Sequence, residues 1–285
     1  GKTAPMQTDD EAHPEIQRGI NAEIELAGAV PGIDVIFSGH ADSGTESAHV
    51  HPTTGTLIMQ TYGQGTRLGF LQLQLDESLS PNQIIAHEGK LIPVVSNDLL
   101  PHPVIARKLS QYKALFPELQ EILCFSEERV SRLYNEESDL GNLYADIIRA
   151  KVGAEIGFMP SGALRKDLPK GNVPLMDVID SFPFTDRVAE LEMTGAQILA
   201  VLEQSLTLER GMLQVSGLRV GYDLSQPVGN RVMSVQVNGI DLNVEQLYRV
   251  STVEIIAQGG DLFMTFRKAT RIERPDIRFS EVLAE

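Results

Sequence analysis

A histidine and an aspartate two residues apart form the first candidate site. His40 and Asp42 follow the apolar run at 33–37, which predicts a strand buried on both faces, and Gly39 lets the backbone turn sharply after it. Imidazole nitrogens and carboxylate oxygens are common ligands of zinc and similar divalent ions. The pattern therefore indicates a metal site at the end of this strand. The alternative is a loop histidine that bonds to the backbone.

His49 and His51 are a weaker candidate pair of metal ligands. Alternate residues of a strand lie on one face, so the two imidazoles could share a cation. Pro52 and Gly55 instead favour a tight turn directly after His51. All six histidines fall within the first 102 residues, so any histidine chemistry belongs to the N-terminal part.

Two glycine-containing loops in the second half carry side chains that could bind a ligand. Gly162 and Arg165 follow the apolar run at 156–158, where backbone N–H groups and a guanidinium fork suit a phosphate or carboxylate. Gly260 and Asp261 follow another predicted strand, and the carboxylate could accept hydrogen bonds from hydroxyl groups. A surface arginine and a turn capped by Asp261 are the alternatives.

Two phenylalanines on either side of Pro183 are a fourth candidate. A ring of Phe182 or Phe184 that is held at the surface could stack on a flat ligand. The alternative is that both rings belong to the core.

Apolar periodicity predicts that helices and strands are mixed along the chain. Helices are predicted at 14–30, 102–116, 139–152 and 195–206. Strands are predicted at 33–37, 56–61, 68–75, 84–94, 119–126, 213–222, 231–237 and 247–253.

Local signals mark several positions in these elements. Ser138 is a predicted helix N-cap, and Thr194 with Gln197 fits a capping box. The apolar parity of the strand at 213–222 changes next to Gly217, which predicts a β-bulge. Cys124 lies in an apolar stretch, which favours a buried and inert thiol.

Composition and charge exclude several classes of protein. The chain has 285 residues and 42% hydrophobic residues, which suggests two domains at about 150 residues each. Residues 1–118 carry 7 basic and 14 acidic side chains and residues 119–285 carry 17 and 25, for a net charge of −15. Neither part is basic, which argues against nucleic acid or anionic lipid as a partner. No apolar run approaches the roughly 20 residues that span a bilayer, and the single cysteine excludes an internal disulfide.

Taken in order, several motifs resemble the C-terminal domain of the 5′-nucleotidase / UDP-sugar hydrolase family. The motifs that carry the resemblance lie at 137–143, 162–165, 182–184, 193–195, 213–218, 248–250 and 258–261. Residues 33–44 are similar to the end of the same family's metallophosphatase domain. Because that domain begins upstream in the family, we expect this chain to be a fragment of a longer protein.

The resemblance implies a metal centre to which this chain contributes only in part. The family holds two divalent ions, usually zinc or manganese, and His40 and Asp42 fall where it has metal ligands. Its D-x-H and G-N-H-[DE] motifs are absent from the 285 residues. Two ligands cannot hold a dinuclear centre, so the fragment itself is expected to be inactive and to contain no catalytic residue.

The resemblance also assigns substrate-binding residues. Phe184 matches one of two rings that sandwich the base, Arg165 a phosphate- or ribose-contacting arginine, and Asp261 a ribose-binding aspartate, while Gly162 and Gly260 belong to the same two loops.

Three positions depart from the family pattern and weaken the case for ordinary nucleotides. Ile255 stands where the second ring is expected, Pro160 replaces an asparagine, and Glu136 stands where some members carry an arginine.

The predicted fold is of the α/β and α+β classes. It comprises the C-terminal part of a metallophosphatase α/β sandwich (1–100), a linker helix (101–118) and a mixed α+β 5′-nucleotidase-type substrate-binding domain (119–285). The resemblance implies hydrolysis of nucleotides or related phosphate esters in nucleotide catabolism, in the periplasm or at the cell surface. The alternatives are a relative of 2′,3′-cyclic-nucleotide phosphodiesterases and a non-catalytic nucleoside- or metabolite-binding module. The oligomeric state is left open.

Overall fold

The chain divides into two compact units, Gly1–Leu109 and Ser110–Glu285. The computed structural model describes residues 20–39, 44–63, 65–78, 83–94, 99–273 and 276–285, apart from the side chains of 271–273. The division falls within a helix, Pro103–Ala114, inside the segment predicted as a linker.

The described part of the N-terminal unit consists mainly of short strands. Its elements are α1 (Asn21–Ala29), β1 (Val35–Ser38), β2 (His49–Val50), β3 (Leu57–Gln60), β4 (Arg67–Asp76), β5 (Gln83–Pro93) and the first part of α2 (Pro103–Ala114). Strand β3 pairs in parallel with β1 and antiparallel with β2, and β4 and β5 form a long antiparallel hairpin. The strands predicted at 56–61, 68–75 and 84–94 are therefore confirmed.

Strand β1 is not buried on both faces, contrary to the prediction. Phe37 is 67% exposed. Among the described residues β3 is the one strand that pairs with β1, so the other edge of β1 has no described strand partner. The helix predicted at 14–30 is described from residue 20 onward and ends at Ala29, and its first residues lie outside the described part of the chain.

The C-terminal unit mixes five helices with ten strands in its described residues. The elements of its first half are β6 (Ile122–Ser126), α3 (Asp139–Val152), β7 (Ile156–Pro160), β8 (Gly171–Pro174), α4 (Leu175–Ser181), β9 (Val188–Thr194) and α5 (Gly195–Ser205). Those of its second half are β10 (Leu213–Ser216), β11 (Leu218–Tyr222), β12 (Val232–Val237), β13 (Ile240–Asp241), β14 (Leu247–Val253), α6 (Glu254–Ala257), β15 (Arg271–Glu273) and α7 (Phe279–Ala284).

A five-stranded mixed sheet is the centre of this unit. Its strand order is β10-β7-β14-β9-β15, in which β7 and β14 are parallel and the other pairs are antiparallel. Two smaller antiparallel sheets, β11-β12-β13 and β6-β8, accompany it. The predicted α/β and α+β fold class is confirmed.

Helices α3 and α5 bury one apolar face each against this sheet. Leu140, Tyr144 and Ile148 of α3 are almost fully buried, at the spacing that the periodicity predicted. The Ser138 Oγ accepts a hydrogen bond from Gly141 N at 3.2 Å, so the predicted N-cap is confirmed. The capping box of α5 is also present, and burial of these apolar faces stabilises the unit.

The predicted β-bulge at Gly217 is wrong. Instead of bulging within one strand, the chain leaves the five-stranded sheet after β10 and enters a different sheet as β11. Gly217 has φ +73°, and a Cβ there would lie 2.0 Å from the Glu155 carbonyl oxygen. The change of parity therefore marks a change of sheet, which only glycine permits at this close approach.

The prediction of a buried thiol at Cys124 is also wrong. Strand β6 belongs to a two-stranded sheet, and Cys124 is exposed. Leu123 is the β6 residue that packs against the core, so its neighbour points to the opposite, solvent-facing side.

None of the described helices combines the length and the apolar character needed to cross a membrane.

Candidate functional site

Arg165 and Phe184 lie together at one end of the C-terminal unit. The Arg165 Cζ is 5.3 Å from the centre of the Phe184 ring, the distance of a cation–π contact. The Arg165 backbone N–H donates to the Ser181 carbonyl at 2.8 Å, which ties the loop after β7 to the end of α4. The loop predicted at 162–165 therefore presents its arginine to the predicted ring.

The sequence left open whether Phe182 and Phe184 lie in the core or at the surface, and the structure places them in different environments. Phe182 is 1% exposed and belongs to the core, whereas Phe184 is partly buried and packs against that core. Their rings meet edge to face at a centroid distance of 5.5 Å, which holds Phe184 in position. A flat ligand could stack only on the part of the Phe184 ring that Arg165 leaves open.

Asp261 lies in a turn with an uncommon backbone conformation. Gly259, Asp261 and Leu262 all have positive φ angles, of +87°, +49° and +67°. A Cβ on Gly260 would lie 2.6 Å from the Ile255 carbonyl oxygen, so this glycine is required by close packing of the turn. Non-glycine residues adopt positive φ at a cost, and such residues are enriched at functional sites.

Burial and two arginines act in opposite directions on the pKa of Asp261. The residue is exposed, yet the protein atoms around its carboxyl displace enough water to raise its pKa. The guanidinium groups of Arg210 and Arg165 act in the opposite direction and favour the carboxylate. Arg165 thus contacts the Phe184 ring and also favours the ionised form of Asp261.

A further cluster of charges adjoins Arg165 and was missed by the sequence analysis. Arg129 forms an ion pair with Asp167, and the Arg132 backbone N–H donates to Asp167 Oδ1 at 2.9 Å. Desolvation lowers the pKa of Arg132, opposed by Asp167 and reinforced by Arg165 and Arg129. The signal that could have drawn attention to these residues is a pair of arginines, three positions apart, shortly before the Ser138 cap.

The segment that carries these arginines is anchored to the central sheet. The buried Gln214 of β10 accepts hydrogen bonds from the Ser138 N–H at 2.7 Å and from its hydroxyl at 3.1 Å. The Gln214 amide also donates to the Glu136 carbonyl at 2.9 Å. Glu136 therefore contributes its backbone to the fold, while its side chain is exposed.

Gly162, a predicted site residue, and Pro160, a position that departs from the family pattern, lie close together at the end of β7 and in the loop after it. Gly162 would tolerate a Cβ, whose nearest neighbour would be Tyr134 at 3.5 Å, so packing alone does not require glycine there. Pro160 ends β7 and is buried.

Ile255, at the expected position of the second ring, is 48% exposed. Its backbone N–H donates to Asp186 Oδ1 at 3.1 Å, so it lies close to the segment that follows Phe184. Burial raises the pKa of Asp186. The structure thus places an aliphatic side chain, rather than a second aromatic ring, near this end of the site.

The predicted metal ligands His40 and Asp42 lie outside the described residues. Among the residues that are described, no group of three or more histidine, cysteine, aspartate or glutamate side chains is arranged to hold a metal ion. His51 serves a structural purpose, because its Nδ1 lies 3.2 Å from the Thr54 backbone nitrogen and 2.9 Å from the Thr54 hydroxyl. Of the two interpretations of this segment, the tight turn after His51 is the one observed.

Comparisons with known proteins agree with this architecture. Residues 119–268 match the family described as 5′-nucleotidase, C-terminal domain. The trifunctional nucleotide phosphoesterase protein YfkN of Bacillus subtilis is 28% identical over 276 residues, which cover 90% of this chain and 19% of that protein. An apyrase of Tabanus yao is 25% identical, and the match covers 87% of this chain and 52% of the apyrase.

The 5′-nucleotidase precursor from Thermus thermophilus is a similar solved structure. It has a TM-score of 0.77 and 25% sequence identity, and the match covers 93% of this chain and 58% of the precursor. The chain therefore spans less than two thirds of the length of each of these relatives.

Proposed function

Because this chain belongs to the 5′-nucleotidase C-terminal domain family, we propose that it carries the nucleoside-selecting part of a metal-dependent phosphoesterase that hydrolyses nucleotides. The observation that carries the proposal is the contact of the Arg165 guanidinium with the Phe184 ring, beside a carboxylate on which Arg165 also acts. An aromatic surface, a cation and a hydrogen-bond acceptor together suit a base, a phosphate and a ribose diol.

Each of these residues has a separate role in the proposed binding mode. Phe184 stacks on the base with its open surface, and Asp261 accepts hydrogen bonds from ribose hydroxyls. Arg165 faces the phosphate or ribose, and its contact with Phe184 keeps the guanidinium oriented. Gly162 and Gly260 belong to the loops that carry these side chains. In this proposal the C-terminal domain selects the nucleoside leaving group of the substrate.

The proposed metal centre belongs to the N-terminal part of the full-length protein. His40 and Asp42 are the residues of this chain that would hold one or both divalent ions, zinc or manganese. Such ions supply charge neutralisation at the phosphoryl oxygens and activation of the attacking water. Since the other family motifs are absent from the sequence, these 285 residues alone are proposed to be inactive.

The stacking role can be tested by calorimetric titration of the 285-residue chain with adenosine. Phe184→Leu keeps an apolar side chain but removes the ring, and stacking energies of about 1–3 kcal/mol predict a loss of affinity of roughly 5- to 150-fold. Phe125→Leu is the matched control, because Phe125 is a 67% exposed ring on β6. Equal affinity of the two variants and the unaltered chain would contradict the assignment.

Hydrolysis can be tested by comparing these 285 residues with the full-length protein. Phosphate release is measured from AMP, UDP-glucose and a 2′,3′-cyclic nucleotide, with zinc or manganese and then with a chelator. We expect activity only in the full-length protein, lost with the chelator and reduced at least about 100-fold by His40→Ala. His87→Ala, at an exposed position on β5, is the control. Chelator-resistant activity, or activity unchanged in His40→Ala, excludes the metal assignment.

A non-catalytic nucleoside-binding module is the second candidate. The exposed aliphatic Ile255, where the family's second ring is expected, is the observation that favours it. A full-length protein that binds adenosine but releases no phosphate from any of the three substrates would support this alternative.

We also propose a periplasmic, cell-surface or secreted location. Relatives named as a snake venom 5′-nucleotidase of Naja atra and as a 5′-nucleotidase precursor support it. A sequence with a single cysteine is compatible with that location.

A further inference from the structure

Asp186 is a half-buried carboxylate that forms no ion pair with a lysine or arginine of the described residues. Its neighbour Arg187 is paired with Asp276 instead. The Asp186 Oδ1 accepts a hydrogen bond from the Ile255 N–H at 3.1 Å, and within the described part of the chain Oδ2 accepts none from another residue. Moving a carboxylate out of water without a cation costs free energy. The fold therefore keeps, at this position, an acceptor with unused capacity.

Backbone hydrogen bonds fix the segment that carries this carboxylate. The Asp186 carbonyl accepts the Phe279 N–H at 2.9 Å, and the Arg187 carbonyl accepts the Glu254 N–H at 2.8 Å. Together with the bond from the Ile255 N–H, these contacts join the segment to the first residues of α6 and α7. An acceptor that is already held in place loses little conformational entropy when it binds a ligand.

The same contacts place the carboxylate beside the ring that is proposed to stack on the base. The Phe279 ring meets the Phe182 ring edge to face at a centroid distance of 5.0 Å, and the Phe182 ring meets that of Phe184 at 5.5 Å. Phe279 thus links Asp186 to Phe184 through its backbone and its ring. Two residues of chain span at most about 7 Å, so a base stacked on Phe184 lies within reach of Asp186.

Ile255 links this carboxylate to the turn that carries Asp261. A Cβ on Gly260 would lie 2.6 Å from the Ile255 carbonyl oxygen and 2.7 Å from its Cγ1, so the turn packs directly on Ile255. The Ile255 N–H is the group that holds Asp186 Oδ1. Two separate carboxylates therefore adjoin Ile255, and of these Asp186 is the one on the side of Phe184.

We propose that Asp186 is a specificity-determining residue that selects guanine as the base. The inference rests on the proposed function, because it requires the base to stack on Phe184. Guanine presents two adjacent donors, N1–H and the N2 amine, to a carboxylate that has acceptors only. Adenine presents its N6 amine beside N1, whose lone pair faces the carboxylate without a proton between them. A site built around an acceptor disfavours the base that lacks the second donor.

The test is calorimetric titration of the 285-residue chain with the 5′-monophosphates of guanosine, inosine and adenosine. We expect guanosine monophosphate to bind at least about tenfold more tightly than adenosine monophosphate. Inosine monophosphate should lie between them, because it keeps N1–H but lacks the N2 amine. Asp186→Asn supplies an amide that can donate to adenine N1. It should weaken binding of guanosine monophosphate at least about tenfold and leave binding of adenosine monophosphate equal or tighter.

Asp241→Asn is the matched control, because Asp241 on β13 is exposed and its Oδ1 also accepts one hydrogen bond, from the Gln236 amide at 3.0 Å. Thermal unfolding of both variants shows whether each is folded. The three nucleotides on the unaltered chain decide the preference without any variant.

The inference is overturned if the unaltered chain does not prefer guanosine monophosphate, or if Asp186→Asn weakens all three nucleotides equally. If nucleotides bind and Phe184→Leu weakens that binding, such a result leaves the proposed function standing. If no nucleotide binds, both the inference and the proposed function are wrong.

Discussion

At the scale of single residues, Gly211 and Gly153 have similar backbone angles in different surroundings. Gly153 ends α3 with φ +64° and nothing within 4 Å of an added Cβ, whereas Gly211 has φ +77° against Ser161 and Tyr134. Gly153→Ala meets only the cost of the left-handed conformation. Gly211→Ala meets that cost together with a steric clash, and the turn that carries Arg210 must move.

We therefore predict that Gly211→Ala destabilises the protein by about 3 kcal/mol and Gly153→Ala by about 1 kcal/mol. Urea unfolding followed by circular dichroism measures both changes. Equal destabilisation of the two variants would show that the described packing around Gly211 contributes nothing.

The second residue-scale prediction concerns the carboxyl of Asp186. Burial raises its pKa in the folded protein, reinforced by Glu254 and opposed by the hydrogen bond from the Ile255 N–H. Between the ordinary pKa of aspartate and the raised value, the folded state binds more protons than the unfolded state. The contribution of Asp186 to stability therefore falls as the pH rises through that window.

Asp186→Asn can retain the hydrogen bond but cannot ionise. We expect it to stabilise the protein at pH 7 by a few tenths to about 1 kcal/mol, with no gain at pH 3. Asp223→Asn should instead destabilise the protein at pH 7, because hydrogen bonds from Ser225 and Gln226 lower the pKa of Asp223 and so favour its carboxylate in the folded state. Thermal unfolding between pH 3 and pH 7 compares the two, and a pH-independent difference for Asp186→Asn contradicts the account.

At the scale of elements, the N-terminus of α5 depends on a reciprocal pair of hydrogen bonds. The Gln197 N–H donates to the Thr194 hydroxyl at 3.2 Å, and the Thr194 N–H donates to Gln197 Oε1 at 2.7 Å. The helix leads from β9 to the turn before β10.

Thr194→Ala removes the cap and is expected to cost about 1 kcal/mol of stability, within a range of about 0.5–2. Thr194→Ser keeps the hydroxyl and should therefore retain most of the stability that Thr194→Ala loses. Denaturant unfolding of the two variants makes the comparison, and equal losses would mean that the methyl group rather than the hydrogen bond stabilises this end.

At the scale of the whole molecule, helix α2 spans the division between the two compact units. None of its residues is buried, and Arg107, Lys108 and Lys113 are exposed along it. Helix α3, by contrast, packs one face against the core, and its basic residues Arg149 and Lys151 are only partly exposed. A protease should therefore cut α2 more readily than α3.

Among the described residues, limited trypsin digestion is therefore expected to cut α2 at least about tenfold faster than α3. Mass spectrometry of the early fragments identifies the cleaved bonds. Cleavage in α3 at the same rate would mean that the C-terminal unit opens as readily as the exposed helix.

How far the sequence predicts this protein depends on the range of the interaction concerned. Helix periodicity, the Ser138 cap and the Thr194 capping box are interactions between residues at most a few positions apart, so their pattern is visible in the sequence and is confirmed. The family resemblance, carried by motifs in a fixed order, also predicted the fold class, and it rests on short segments that each keep their own local pattern.

Only the tertiary structure decided which strands share a sheet and which distant side chains meet. The turn at Gly217 moves the chain between sheets, and Cys124 is exposed because its strand joins a two-stranded sheet. Gly211 packs against Ser161, in the loop that leads to Arg165, and Gln204 donates to the carbonyl of Leu262, the neighbour of Asp261. Hydrogen bonds and packing contacts between residues 50 or more positions apart place these loops side by side, and no local pattern in the sequence records such contacts.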